Sequence, residues 1–339
     1  MRIILDAFGG DNAPSAMIRG AAMAVAEYRH TVVLTGDEAT IRRVAEQEQV
    51  SLDGIEIVHT ADVIEIEDEP RSILKEHKNS SMGLGLQLVA DGRGDAFVSA
   101  GSTGALIMGS SFLVKRIKGI SRAALAPLMP SDKGVFMLLD AGANVDCRPE
   151  MLLQFARMGS CYMTRVIGGN KQPATVGLLN IGTEDCKGGE LQQQAFALLR
   201  DSGLNFVGNV EARELPHGAA QVIVADGFSG NVALKMMEGT ADVVMSNIKD
   251  VFMTNIFTKL AALIVKPHLR TFKKKMDTSE HGGAPVLGVQ KPVIKAHGNS
   301  SANAVKSAIR IAAEFAAADV IGTIAAQTAA DAEKAAAQA

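Results

Sequence analysis

The sequence predicts an α/β fold built on a largely parallel sheet. Short β-branched apolar runs alternate with longer segments of helical period, which is the pattern of βαβ units. Several of the strand-like runs end in Gly, Ser, Thr, Asp or Asn just before a helical segment opens. With 47% hydrophobic and 21% charged residues in 339, the chain has ample material for a buried core.

Taken in order, strands are expected near residues 3–6, 32–35, 55–59, 96–99, 135–140, 176–180, 205–207 and 222–225. Helices are expected near residues 13–28, 37–47 and 299–318. The first of these opens after Asp11-Asn12-Ala13-Pro14, where an Asp or Asn cap and an early Pro favour initiation. Residues 243–276 carry Phe257, Leu260, Leu263 and Ile264 at helical spacing, followed by Lys266, Arg270, Lys273 and Lys274. This stretch reads as an amphipathic projection. It is suited either to packing in a core or dimer seam, or to contact with an anionic membrane surface or an acidic protein. No linker or internal repeat divides the chain, so residues 1–323 are read as one domain. Residues 324–339 are Ala-rich, with little to bury, and are expected to be frayed or disordered.

Composition narrows the function classes. Lys and Arg number 34 against 37 Asp and Glu, and the chain has no Trp and 2 Tyr. It therefore has neither the basic field nor the stacking platforms that nucleic-acid binding favours. Cys147, Cys161 and Cys186 are odd in number and widely spaced, as suits a reducing compartment such as the cytoplasm. The opening strand-like run is too short for a signal peptide, and no run approaches the ~18 apolar residues of a spanning helix.

Five strand-to-helix loops carry the functional signal. They begin at Asp6, Ser99, Asp140, Asn180 and Asp226. In a parallel sheet such loops share the carboxyl edge, where ligands bind, so one polar cleft is expected. Gly-rich turns at helix starts present backbone N–H groups to phosphate or carboxylate. Candidate contacts to such an anion are Asp6, Gly9, Gly10, Asp11, Ser102, Thr103, Asn144, Thr183, Asp226, Ser229 and Asn299. The plain alternative is that the glycines serve tight turns.

Lys187, Asn231 and His297 are the candidate catalytic residues. A cation at position 187 would neutralise a phosphate or oxyanion, the Asn231 amide would donate to an oxyanion beside a helix capped by Ser229, and His297 would assist proton transfer. Solvent exposure, helix capping and a structural histidine are their bland counterparts. There is no dinucleotide fingerprint and no P-loop. Gly227-Phe-Ser-Gly230 lacks one residue of the serine-hydrolase elbow, and Ser72-Ile-Leu-Lys75 has no companion motifs. The histidines show no metal-ligand spacing.

Six segments in order, Asp6-Ala-Phe-Gly-Gly-Asp-Asn-Ala-Pro14, Ser99-Ala-Gly-Ser-Thr-Gly-Ala105, Leu139-Asp-Ala-Gly-Ala-Asn144, Asn180-Ile-Gly-Thr-Glu-Asp-Cys-Lys-Gly188, Asp226-Gly-Phe-Ser-Gly-Asn231 and Gly282-Gly-Ala-Pro-Val-Leu-Gly288, together resemble the PlsX family of bacterial phosphate acyltransferases. The resemblance implies a three-layer α/β/α sandwich like that of isocitrate and isopropylmalate dehydrogenases. It implies transfer of a fatty acyl group from acyl carrier protein to inorganic phosphate, with no metal or organic cofactor. It further implies a homodimer whose projecting helical pair contacts the inner face of the cell membrane, and catalytic roles for Lys187 and Asn231. A short-chain phosphotransacetylase, a decarboxylating dehydrogenase on a related fold and a non-catalytic membrane scaffold are the competing readings. Dense polar loops argue against the scaffold.

Overall fold

Alternation along the strands sorts the core into layers. In the computed structural model the backbone is described for residues 1–169, 171–276 and 282–338, and side chains for all of these except 270–276 and 334–338. The first half runs β1 (Arg2–Asp6), α1 (Ser15–Tyr28), β2 (Thr31–Gly36), α2 (Glu38–Gln47), β3 (Ile55–His59), α3 (Ser81–Ala90), β4 (Ala96–Ser99) and α4 (Thr103–Gly109). It continues with β5 (Ala124–Leu125), β6 (Leu128–Ser131), β7 (Gly134–Leu139), α5 (Pro149–Tyr162) and β8 (Val176–Asn180). Then follow α6 (Glu190–Arg200), β9 (Phe206–Glu211), β10 (Val222–Val224), α7 (Gly227–Met253) and α8 (Ile256–Met276). The last elements are β11 (Ala284–Leu287), β12 (Val293–Lys295), α9 (Ala302–Ala317) and α10 (Val320–Gln338).

The strands form two sheets rather than one. A seven-stranded sheet has the order β3-β2-β1-β4-β12-β11-β5, and a five-stranded sheet the order β6-β7-β10-β8-β9. Pairing is parallel except where β11 meets β12 and β5, and where β6 meets β7. Ile3 and Leu5 of β1 face a core shared with α1 and α9, whereas Ile4 between them faces α3 through Met82 and Leu86. The smaller sheet repeats this. Met137 and Leu139 join α5 and α6, and Phe136 and Leu138 face Leu234 of α7. Helices therefore cover both faces, as the period of two along each strand requires.

All eight expected strands are present. Four short strands, β5, β6, β11 and β12, were not anticipated. They are two to four residues long, and Pro130 and Pro285 lie within β6 and β11. Segments that short carry no readable alternation, and Pro argues against a strand. Two caps also differ. Pro14 occupies the N-cap of α1 with no side-chain cap bond, and Asp226, not Ser229, caps α7 by accepting from the Ser229 N–H at 2.8 Å.

The Ala-rich end is a helix, with packing along its first turns. Ile324 is buried, Thr328 lies against Gly119, and Arg157 pairs with Asp331. Alanine's helix propensity and this docking on α5 account for the helix there.

Candidate active site

The loops that follow β4 and β12 of the larger sheet and those that follow β7 and β10 of the smaller one line a single cleft of about 460 Å³. From the larger sheet come residues 100–103 and 295–298, and from the smaller come Ala141, Gly142 and Asn231. Asn231, Leu234, Lys235 and Glu238 present one face of α7 to the cleft, following the three-and-four spacing of a helix. Ile66, Leu125, Leu128 and Ala284 make much of the remaining wall apolar. The cleft thus joins a polar floor to a greasy side.

Two buried carboxylates hold its rims. Asp6, 1% exposed, accepts from the Ser99 hydroxyl at 2.7 Å and the Phe8 N–H at 3.1 Å, and Ser99 Oγ in turn accepts from the Gly101 N–H at 3.0 Å. The first loop is thereby tied to the loop after β4. The Asp11 N–H donates to Gly298 O at 2.8 Å, which ties it also to the loop after β12. Asp140 accepts from the N–H groups of Leu125, Ala143 and Asn144 at 2.9, 3.1 and 2.6 Å, and from Asn144 Nδ2 at 2.9 Å. Burial pushes both carboxyls above the usual range, and the donors around them pull the other way. Gly230 is where α7 meets this loop. A Cβ there would stand 1.9 Å from Asp140 O, so only glycine permits the approach.

The structure brings some of the predicted residues to the cleft and leaves others elsewhere. Ser102, Thr103, Asn231 and His297 line it. Asp6 is a brace beneath it, and Gly9 and Gly10 sit behind it, with a Cβ on either meeting Gly101 N at 2.6 Å or Gly298 O at 2.7 Å. Asn144 is engaged by Asp140 and Ala123, and Asp226 and Ser229 by capping. Asp11 and Asn299 stand on exposed loops beside it. Asn12, a cap candidate in the sequence, donates through Nδ2 to Asn299 O.

Thr183 and Lys187 lie on the exposed loop after β8. This loop is one strand farther along the same edge and is not part of the cleft lining. Lys187 Nζ is 3.9 Å from Glu184. The loop is shaped from within by Asn180, which donates to Lys187 O and to Asn209, while Asn209 donates to Glu184 O.

On the projecting pair, Phe257, Leu260, Leu263, Ile264 and Lys266 are exposed. The side chains of Arg270, Lys273 and Lys274 lie outside the described residues. Among the described residues, no group of three His, Cys, Asp or Glu comes together to hold a metal ion, and no helix is long and apolar enough to cross a membrane.

Sequence reasoning missed Lys295 and Lys235, both on the cleft. Lys295 lies on an unanticipated strand. Its Nζ donates to Ala100 O at 3.2 Å and Ala296 O at 2.5 Å, and burial pushes its ammonium down to about 8. A buried lysine in the run Val293-Ile-Lys-Ala296 is visible in sequence only once that run is recognised as a strand.

The α/β architecture is one that phosphotransacetylases share. A phosphotransacetylase from Streptococcus pyogenes superposes with a TM-score of 0.64 at 17% identity, covering 93% of this chain and 94% of that one. The EutD phosphotransacetylase from Staphylococcus aureus gives 0.61 at 18%, with the same coverage. At these identities the likeness concerns the fold. Residues 1–323 match the family described as "Fatty acid synthesis protein". The chain is also 51% identical to a protein named phosphate acyltransferase from Geobacillus thermodenitrificans, over 96% of this chain and 98% of that protein. It is 50% identical to one of the same name from Bacillus thuringiensis, over 96% and 97%. The chain belongs to this family, the PlsX family, and is an acyltransferase.

Two measurements check the site's construction. Asp140→Ala removes the acceptor of the Leu125, Ala143 and Asn144 N–H groups and of Asn144 Nδ2, and is expected to lower unfolding stability by roughly 2–4 kcal/mol in urea titration. A change inside experimental error contradicts the bracing role. For Lys295, the folded state releases its proton near 8 and the unfolded chain near 10.5. The unfolded state then binds more protons between those values, so stability contributed at this position rises with pH across that window. The wild-type minus Lys295→Met difference in urea midpoint is expected to grow from pH 8 to 10, and a flat difference contradicts it.

Proposed function

We propose that this chain transfers a long-chain fatty acyl group from acyl carrier protein to inorganic phosphate, giving an acyl phosphate for glycerophospholipid synthesis. The observation that carries this reading is the two-sided cleft, with donors on its floor for a small oxyanion and an apolar wall for the reacting end of a lipid chain. The names of the relatives support phosphate as acceptor.

In this reading phosphate attacks the thioester carbonyl directly. A phosphate oxygen forms the new C–O bond, the C–S bond breaks, and the electron pair leaves on sulfur, which takes up a proton to give the carrier thiol. The Asn231 amide donates to the carbonyl oxygen as negative charge develops there, and His297 positions phosphate and stands ready to supply the thiolate's proton. Lys187, on the neighbouring loop of the same edge, neutralises charge as phosphate and thioester meet. Holding both reactants in one cleft replaces a bimolecular encounter.

The exposed surface supports a reading of the partners. The α7–α8 pair exposes Ile256, Phe257, Leu260, Leu263 and Ile264. So much exposed apolar surface on one projection is a docking feature. We assign it to a homodimer at the inner face of the cell membrane, with Lys266 and the neighbouring cations of α8 attracting anionic lipid or the acidic carrier protein.

The assay that tests the function mixes long-chain acyl carrier protein with phosphate and traps acyl phosphate with hydroxylamine. Hydroxamate formation is expected. Turnover confined to acetyl coenzyme A instead selects the short-chain phosphotransacetylase. Asn231→Ala and Lys187→Ala are each expected to lower kcat about 100-fold, the scale of one lost oxyanion donor, and near wild-type turnover by both removes these assignments. Leu260→Glu with Leu263→Glu is expected to abolish co-sedimentation with anionic vesicles, and retained binding removes the membrane role.

A further inference from the structure

The cleft floor contains a cation that none of the recognised motifs includes. Lys295 is only 9% exposed, and lysine is almost never buried so deeply without a partner. Its polar contacts among the described residues are two carbonyl oxygens, Ala100 O and Ala296 O. An ammonium carries three donors, so two are engaged and one remains, on a residue that lines the cleft beside Ser102, Lys235 and His297.

The surrounding charges do not resolve this. Desolvation by burial acts most strongly against the ammonium, Asp11 and Asp6 favour it, and Lys235 opposes it. Asp6 is occupied with Ser99 and Phe8, and Lys235 is paired with Glu238 at 2.8 Å. Lys295 is therefore a buried cation, held by two carbonyls, that lines the cleft and whose third donor has no partner among the described residues. An anion arriving there regains the electrostatic energy that burial removed. The carbonyl oxygens of residues 100 and 296 hold the ammonium in place, so little further ordering is needed on binding.

We propose that Lys295 is a substrate-contacting residue of the acyl transfer, its ammonium gripping an oxygen of inorganic phosphate on the cleft floor beside Ser102 and His297. The inference deepens the reading that phosphate is the acceptor and rests on it. A Lys295 that merely braces β12 against the loop after β4 would change stability and leave phosphate affinity alone.

Lys295→Met keeps the length and apolar stem while removing the charge. In steady-state assays it is expected to raise the KM for phosphate about 10- to 100-fold, the scale of one charge-assisted hydrogen bond, with the KM for the acyl donor essentially unchanged. Calorimetric titration with phosphate alone is expected to show the same weakening. Binding in the unaltered protein that is lost in the variant supports the inference even where no acyl transfer is detected. Unchanged phosphate affinity in a folded variant overturns it while leaving the acyltransferase reading intact.

A second measurement needs no variant. Lysine acetylation of the wild-type protein, mapped by mass spectrometry, is expected to fall at Lys295 when phosphate is added and to stay constant at exposed Lys118. Equal labelling of Lys295 with and without phosphate overturns the proposal.

Discussion

The site depends on main chain approaching main chain more closely than a side chain allows. Gly9 lies so close to the loop after β4 that a Cβ would stand 2.6 Å from Gly101 N, and Gly230 places the first turn of α7 directly over Asp140 O. Each contact draws together loops of its own sheet, Gly9 in the larger and Gly230 in the smaller, and loops of both sheets line one cleft. Where backbone takes the place of side chains, its N–H groups become the local polar surface. In the proposed function, a fold that crosses these loops at glycine offers an oxyanion backbone donors without a large basic field.

Burying charge beneath such a site has a cost, and Asp6, Asp140 and Lys295 meet it in different ways. Asp6 and Asp140 are satisfied by inward-pointing donors and serve to fix loops. Lys295 is held by two carbonyls and faces the cleft. The carboxylates are thus structural, whereas the lysine belongs to the cleft lining. A paired ion buried on the same floor would have offered no free donor to a substrate.

Much of the fold was legible because βαβ alternation survives in sequence, from the run at 3–6 to the one at 222–225. The division into two sheets was not, since β5, β6, β11 and β12 are too short or too Pro-interrupted to show a period. The loops at Ser99, Asp140 and Asp226 were readable as site builders from their Gly and polar content, and they do line or brace the cleft. Sequence could not separate Asn231, whose side chain lies over Gly142 at the cleft, from Asn144, whose amide is consumed by Asp140 and Ala123. Both are asparagines after a glycine-bearing turn, and only three-dimensional pairing tells donor from brace. The same limit hid Lys295, because burial is a property of the packed strand and its neighbours.

The claim that these glycine-tight loops make one oxyanion cleft is tested most directly by a crystal structure of the protein with phosphate. The account predicts a single phosphate between Ser102, Asn231, Lys295 and His297, on the floor of the cleft that joins the two sheets. Phosphate found only at a distant surface, with that floor holding water at saturating concentration, would contradict it.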